Sequence, residues 1–310
     1  MLSHLKAFAG RSFLCEPFAL KQALARLEKF PTCPTMREVG AARKAGLDEA
    51  RGLAASAVGD RGGAVGIIPI YGIIEQRMSP EMMKLGGTST EEVSAALDVM
   101  AADPNIASIV LDVDSPGGGV FGVEELGDKI HQVGKSKPIH AVANSMAASA
   151  GYWIASQASR LSTTPGGQVG SVGVYTFHVD ESKALEEDGL VVTVIQAGKY
   201  KTELLSHQPL SKEAKAWAQE QWVNDPYKKF VGAVARGRNT TPEFVLSDYG
   251  QGRLLSAEQA LKAGAVDAVA TFDAVVNGAL ASAATQARRM EAANAVRLLR
   301  LRHQARKRSA

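Results

Sequence analysis

The chain has 310 residues, 45% of them hydrophobic and 22% charged, with a formal net charge of +3. That is the make-up of a globular chain able to bury a sizeable core, and no apolar run reaches the roughly eighteen residues needed for a membrane span. The charge is uneven: residues 288–310 hold eight Lys/Arg and one Glu, which leaves 27 basic against 31 acidic residues elsewhere and confines any nucleic-acid contact to the basic tail. Cys15 and Cys33 are the only cysteines. A disulfide framework is not expected, and with no secretory signal in the first residues a cytoplasmic protein with reduced thiols is.

Residues 1–60 are read as a helical N-terminal extension, with candidate helices at 19–30 and 36–55. Arg61-Gly62-Gly63 ends that pattern, and Ala64 to Ile70 opens the core as a strand. A loop with Met78, Met82 and Met83 follows, a composition that suits loose packing or an adaptable surface. Ser89 and Glu92 have capping-box spacing before a helix at 91–102, and Asp103-Pro104-Asn105 stops it. Ile109 to Val113 is an apolar run of buried-strand length. It leads into Asp114-Ser115-Pro116-Gly117-Gly118-Gly119, which reads as a turn with exposed amides. A helix at 123–134 carries Glu124, Glu125, Asp128 and Lys129 on its polar face.

Ile139 to Val142 is a second short strand, leading to Met146-Ala147-Ala148-Ser149-Ala150-Gly151, where one hydroxyl is flanked by small residues that permit close approach. Strands are expected at 160–164, 170–174 and 190–195, with a helix near 181–188, a long helical region at 211–236, and a helix and last strand within 254–270. Strands alternating with helices predict an α/β core with a mostly parallel sheet.

A serine hydroxyl attacks only when a base removes its proton. Lys199 and Lys201 lie in the glycine-bearing turn after residue 195, and a lysine can serve if its surroundings lower its pKa from about 10.4 toward 7–8, roughly 4 kcal/mol. His178 with an aspartate is the alternative. Spacing does not choose between them. Asp112 and Asp114 alternate on one strand without a His or Cys partner at metal-site spacing, so no metal and no cofactor is expected.

Asp114-Ser115-Pro116-Gly117-Gly118, Met146 to Tyr152, Gly170-Ser171-Val172-Gly173-Val174 and Gly198-Lys199-Tyr200-Lys201 follow one another in the order and rough spacing of the signal peptide peptidase A family. That family includes the head-maturation proteases of tailed bacteriophages. The resemblance runs from about residue 64 to residue 272. It implies a Clp protease/crotonase-like fold of repeated β-β-α units, with a peptidase domain over 61–280 and a basic C-terminal tail over 281–310.

The resemblance also implies a Ser-Lys dyad, with Ser149 as nucleophile and Lys201 as general base. The oxyanion hole would be formed by the amides of Gly117 or Gly118 and of Ala150, since Pro116 has no N–H. Ser171 could stand behind the lysine. The substrate would be a protein, a capsid or scaffold protein in phage or prophage head assembly inside the host cytoplasm, and the enzyme a homo-oligomer. The rival readings are a general cytoplasmic peptidase with the same dyad, and a non-proteolytic crotonase-type acyl-binding or assembly protein.

Overall fold

A computed structural model describes residues 13–15, 55–58, 63–78, 86–285, 288 and 297. The helix expected at 19–30, all of the one expected at 36–55 but Ala55, the loop methionines Met82 and Met83, and most of the basic tail lie outside the described residues.

The centre is a sheet ordered β10-β7-β6-β5-β3-β2. Its middle strands are β3 (Ala64–Glu75), β5 (Ile106–Gly119), β6 (Ile139–Ala148) and β7 (Arg160–Thr163), with β10 (Ala268–Val269) at one edge and β2 (Ala55–Val58) at the other. β3, β5, β6, β7 and β10 pair in parallel, and β2 joins β3 antiparallel. β4 (Thr88–Ser89) extends the β3 side, while β8 (Gln168–Gly170) continues beside β6 and pairs with β9 (Leu254–Ser256). The α/β, mostly parallel architecture expected from the sequence is the one observed.

Both faces of this sheet are covered, which is why Ile109 to Val113 is apolar with only Asp112 interrupting it. On one face Ile109, Leu111, Val113, Ala141 and Ala143 pack against α1 (Thr90–Ala102), α2 (Val123–Gly134), α3 (Ala150–Ser156) and α6 (Asp225–Gly237). On the other, Val65, Val110 and Val142 meet Val276 and Ala279 of a helix over 272–285. The period-two alternation of strand side chains sends neighbours to opposite layers. The remaining helices are α4 (Ser182–Glu187), α5 (Lys212–Ala218), α7 (Pro242–Asp248) and α8 (Ala257–Lys262).

Local signals explain several boundaries. Ser89 Oγ accepts the Glu92 N–H at 3.4 Å and caps α1 as its spacing predicts. Ser256 and Gln259 form a full capping box at the start of α8.

Three expectations are corrected. The Asp114–Gly119 segment is not a free turn but the end of β5, with Gly117 and Gly118 opposite Ile73 and Ile74 of β3. A register shift beside Ser115 accommodates the chain there, where Pro116 cannot donate. The strand expected at 170–174 stops at Gly170, because Gly170 (φ +110) and Ser171 (φ +52) both leave the extended region. No strand forms at 190–195: Val191 is 92% and Ile195 95% exposed, and among the described residues no strand lies alongside.

The two described segments of the N-terminal extension are strands of the sheet and not the expected helix: β2 lies against β3 at the edge, and the other reaches β5. β1 (Phe13–Cys15) pairs antiparallel with β5, Phe13 opposite Gly119 and Cys15 opposite Gly117.

Candidate active site

Ser149 is the single residue between the last residue of β6 and the first of α3. Its backbone has φ +54 and ψ −117, a conformation that costs a non-glycine residue about 1–2 kcal/mol. Two hydrogen bonds impose it: the Ser149 N–H donates to the Gly170 carbonyl at 2.8 Å, and the Ser149 carbonyl accepts from Trp153 N–H at 2.8 Å. A strained serine on a strand-to-helix elbow aims its hydroxyl off the end of a sheet, and such strain persists only where the surroundings over-determine it.

The surroundings here are closely packed. All seven residues of α3 are buried, and Ser149 itself is 1% exposed. Trp153 stacks on Phe230 of α6 with ring centroids 4.8 Å apart and 7° between planes. The Tyr152 hydroxyl donates to the Ala265 carbonyl at 2.8 Å. Both contacts fix α3, and with it the elbow, to the C-terminal half of the chain. Aromatic pairs of this kind contribute about 0.5–1.5 kcal/mol beyond their buried area.

The glycine segment lies at the same end of the sheet. Ser115 pairs with Ala147, so the glycines begin two residues beyond the last β5–β6 pair, at the end of the sheet where β6 gives way to Ser149. Gly117 has φ +103, and its N–H donates to Ser115 Oγ at 3.1 Å, while the Ser115 hydroxyl donates to the Gly72 carbonyl at 2.7 Å. Ala150 is the first residue of α3, where the N–H has no partner within the helix. Ser115 was not singled out in the sequence; its signal was only its place in the Asp-Ser-Pro-Gly run.

The candidate bases stand elsewhere. Lys201 is exposed in a turn, its N–H donating to the Gly198 carbonyl at 3.2 Å, and no hydrogen bond joins its side chain to Ser149. Lys199 Nζ donates to the Tyr200 hydroxyl at 2.8 Å and faces Glu213 at 3.9 Å. The Tyr200 hydrogen bond, then the Glu213 charge, raise the Lys199 pKa, the wrong direction for a base. His178 Nε2 lies 3.3 Å from the Leu205 carbonyl. Ser171 is 8% exposed and is held by its N–H to the Arg253 carbonyl at 2.9 Å.

Asp112 is buried and accepts hydrogen bonds from the Tyr71 hydroxyl and from Asn144 Nδ2, the latter at 3.1 Å. Burial first, then the Asp112 carboxylate, hold the Tyr71 phenol well above its ordinary pKa, so it remains a donor. Among the described residues no group of three or more His, Cys, Asp or Glu could hold a metal ion, and no helix is long and apolar enough to cross a membrane.

A parallel α/β sheet with a strained, buried serine at a strand–helix elbow is an arrangement that nucleophilic hydrolases use. The sequence model of Peptidase family S49 matches residues 131–286, half of the chain, and the chain belongs to that family. The matched stretch includes Ser149 and Lys201 and begins after the Gly117–Gly119 segment.

Capsid assembly protease C of Escherichia phage lambda is 30% identical over 203 residues, covering 66% of this chain and 46% of its own. A putative signal peptide peptidase SppA of Enterococcus faecium is 30% identical over 170 residues, covering 54% of this chain and 48% of its own. The chain thus spans about half the length of these relatives. Among solved structures, a ClpP1 mutant from Listeria monocytogenes is similar with a TM-score of 0.41 at 20% identity, over 66% of this chain and 91% of that one.

Proposed function

We propose that the protein is a serine endopeptidase in which Ser149 attacks the peptide carbonyl. Lys201 takes the serine proton and returns one to the leaving amine, and the amides of Gly118 or Gly117 and of Ala150 hold the oxyanion. The observation that carries this reading is the Ser149 elbow, with φ +54 in a chain of Peptidase family S49. The Gly117 N–H already serves Ser115, and the Ala150 N–H, first in α3, has no partner within its helix.

Catalysis on this scheme requires the segment carrying Lys201 to fold over Ser149. That segment presents Leu190, Val191, Val192 and Ile195, each at least half exposed, as an apolar run in need of cover. A homo-oligomer in which a second copy covers this run supplies the ordering, and the assembled enzyme would work in the bacterial cytoplasm or within an assembling prohead.

The substrate we favour is a capsid or scaffold protein, on the similarity to the phage lambda protease. A general peptidase with the same dyad is the second reading, favoured by the similarity to the Enterococcus protein. Co-expression with candidate capsid and scaffold proteins tests both. Wild type cleaves one of them while Ser149→Ala and Lys201→Ala do not; cleavage by Lys201→Ala but not by His178→Ala overturns the dyad.

A further inference from the structure

The geometry points to self-occlusion: the N-terminal segment Phe13–Cys15 lies as a strand in the place where an extended substrate would meet Ser149, and substrate entry requires its release. The inference rests on the peptidase reading for the identity of the occupied groove.

A strand has two edges, and the end of β5 shows who holds each. Gly117 and Gly118 face Ile73 and Ile74 of β3 on one edge. On the other edge β6 follows β5 as far as Ser115 opposite Ala147, then leaves the sheet at Ala148 and turns through Ser149 into α3. The departure leaves that edge of Gly117–Gly119 without β6 at the end of the sheet where the serine sits. Unpaired backbone groups at a sheet edge are a template for an added strand.

Since β3 already holds the first edge at Gly117 and Gly118, β1 occupies the second, the one β6 vacates. Cys15 stands opposite Gly117, two residues beyond the Ser115–Ala147 pair at which β5 and β6 last meet before β6 turns into Ser149. The segment therefore runs antiparallel to β5 on the side where β6 turns away into the elbow. Gly118 and Gly119 keep β5 free of side chains along this stretch: a β-carbon on Gly118 would fall onto the Ile74 carbonyl, and one on Gly119 would lie 2.7 Å from the Glu75 carboxylate. Recognition through main-chain hydrogen bonds accepts any extended peptide, the chain's own included. Residues 13–15 have the advantage of being tethered, and so act at a high effective concentration.

The test is peptide binding in the full-length Ser149→Ala background, which needs no turnover. The probe is a fluorescein-labelled peptide copying residues 9–20. Two sets of substitutions release the segment: Leu14→Pro, and Phe13→Pro with Cys15→Pro. Between them they remove the N–H groups on both sides of the strand and so cover whichever side faces β5. At least one is expected to bind the probe about tenfold more tightly than the parent, the gain for an edge otherwise free about a tenth of the time. Equal affinity in the parent and both variants, or no binding by any of them, overturns the proposal. Unchanged melting temperatures verify that the variants are folded. Activity of the same substitutions with Ser149 restored separates the two ideas: tighter binding without hydrolysis in any form keeps the occlusion and removes the peptidase reading, whereas hydrolysis with unchanged binding removes the occlusion alone.

Discussion

Gly151 lies with its back against Ser115: a β-carbon built on Gly151 would stand 3.2 Å from Ser115 Cβ and 3.3 Å from its carbonyl oxygen. The start of α3 and the end of β5 are thus in contact at the point that sets the nucleophile against the glycine segment. Gly151→Ala can be accommodated only by moving one of them a few tenths of an ångström. The expected result is a kcat reduced about tenfold with little change in KM, because small misplacements of reacting groups are costly to rate. Steady-state kinetics on a cleaved peptide measures it.

Ser149 combines strain with chemistry, and two substitutions separate them. Both Ser149→Ala and Ser149→Gly should lower kcat by on the order of a millionfold, the loss seen when a serine nucleophile is removed. Glycine adopts φ +54 without penalty, so Ser149→Gly should be more stable than Ser149→Ala by about 1 kcal/mol, or roughly 2–4 °C in Tm. Calorimetry that ranks alanine above glycine contradicts the strained elbow.

The two lysines in the turn should behave differently. Lys199, with its pKa raised by Tyr200 and Glu213, stays protonated through the neutral range, and Lys199→Ala should retain activity within about twofold. Lys201→Ala should lose at least about a thousandfold in kcat/KM, the scale of general-base catalysis together with proton delivery to the leaving group. His178→Ala should remain active. Parallel assays of the three variants decide the assignment.

Arg238 and Asp267 form an ion pair at 2.6 Å, the arginine side chain 6% and the aspartate 37% exposed. Burial disfavours the Asp267 charge, but hydrogen bonds from Arg238 and from the Leu161 amide outweigh it and hold the carboxyl below its ordinary pKa. A depressed folded pKa gives stability that is full above the unfolded value, near pH 4, and is lost as the pH falls through the folded one. Asp267→Asn should therefore cost about 2 kcal/mol at pH 7, discounted for the aspartate's exposure, and the gap to wild type should shrink below about pH 4. Thermal melts at pH 7, 4 and 3 check both the size and the sign.

The sequence was most legible where local chemistry decides the outcome. Ser89 announces its cap, the helix expected at 123–134 forms over Val123–Gly134, and the small residues around Ser149 anticipate the tight elbow. It was less so where a distant partner decides. Asp114 to Gly119 has every local mark of a turn, yet β3 and β1 draw it out as strand. Leu190 to Ile195 has strand composition, yet strand propensity expresses only the fit to a neighbouring strand, and the described residues supply none. The Gly170 carbonyl, which holds the Ser149 amide, is a backbone group and leaves no mark in a side-chain pattern.

The seven residues of α3 are buried, whereas the run from Leu190 to Ile195 is exposed. Amide protons in the first should exchange only when the whole domain opens, and those of Val191 to Ile195 almost as fast as in a free peptide. With the nucleophile on one and Lys201 beyond the other, catalytic competence is limited by the less protected partner. Warming should then silence the enzyme well before it melts, and the silenced protein should recover fully on cooling, because the elbow that is hardest to rebuild has never come apart.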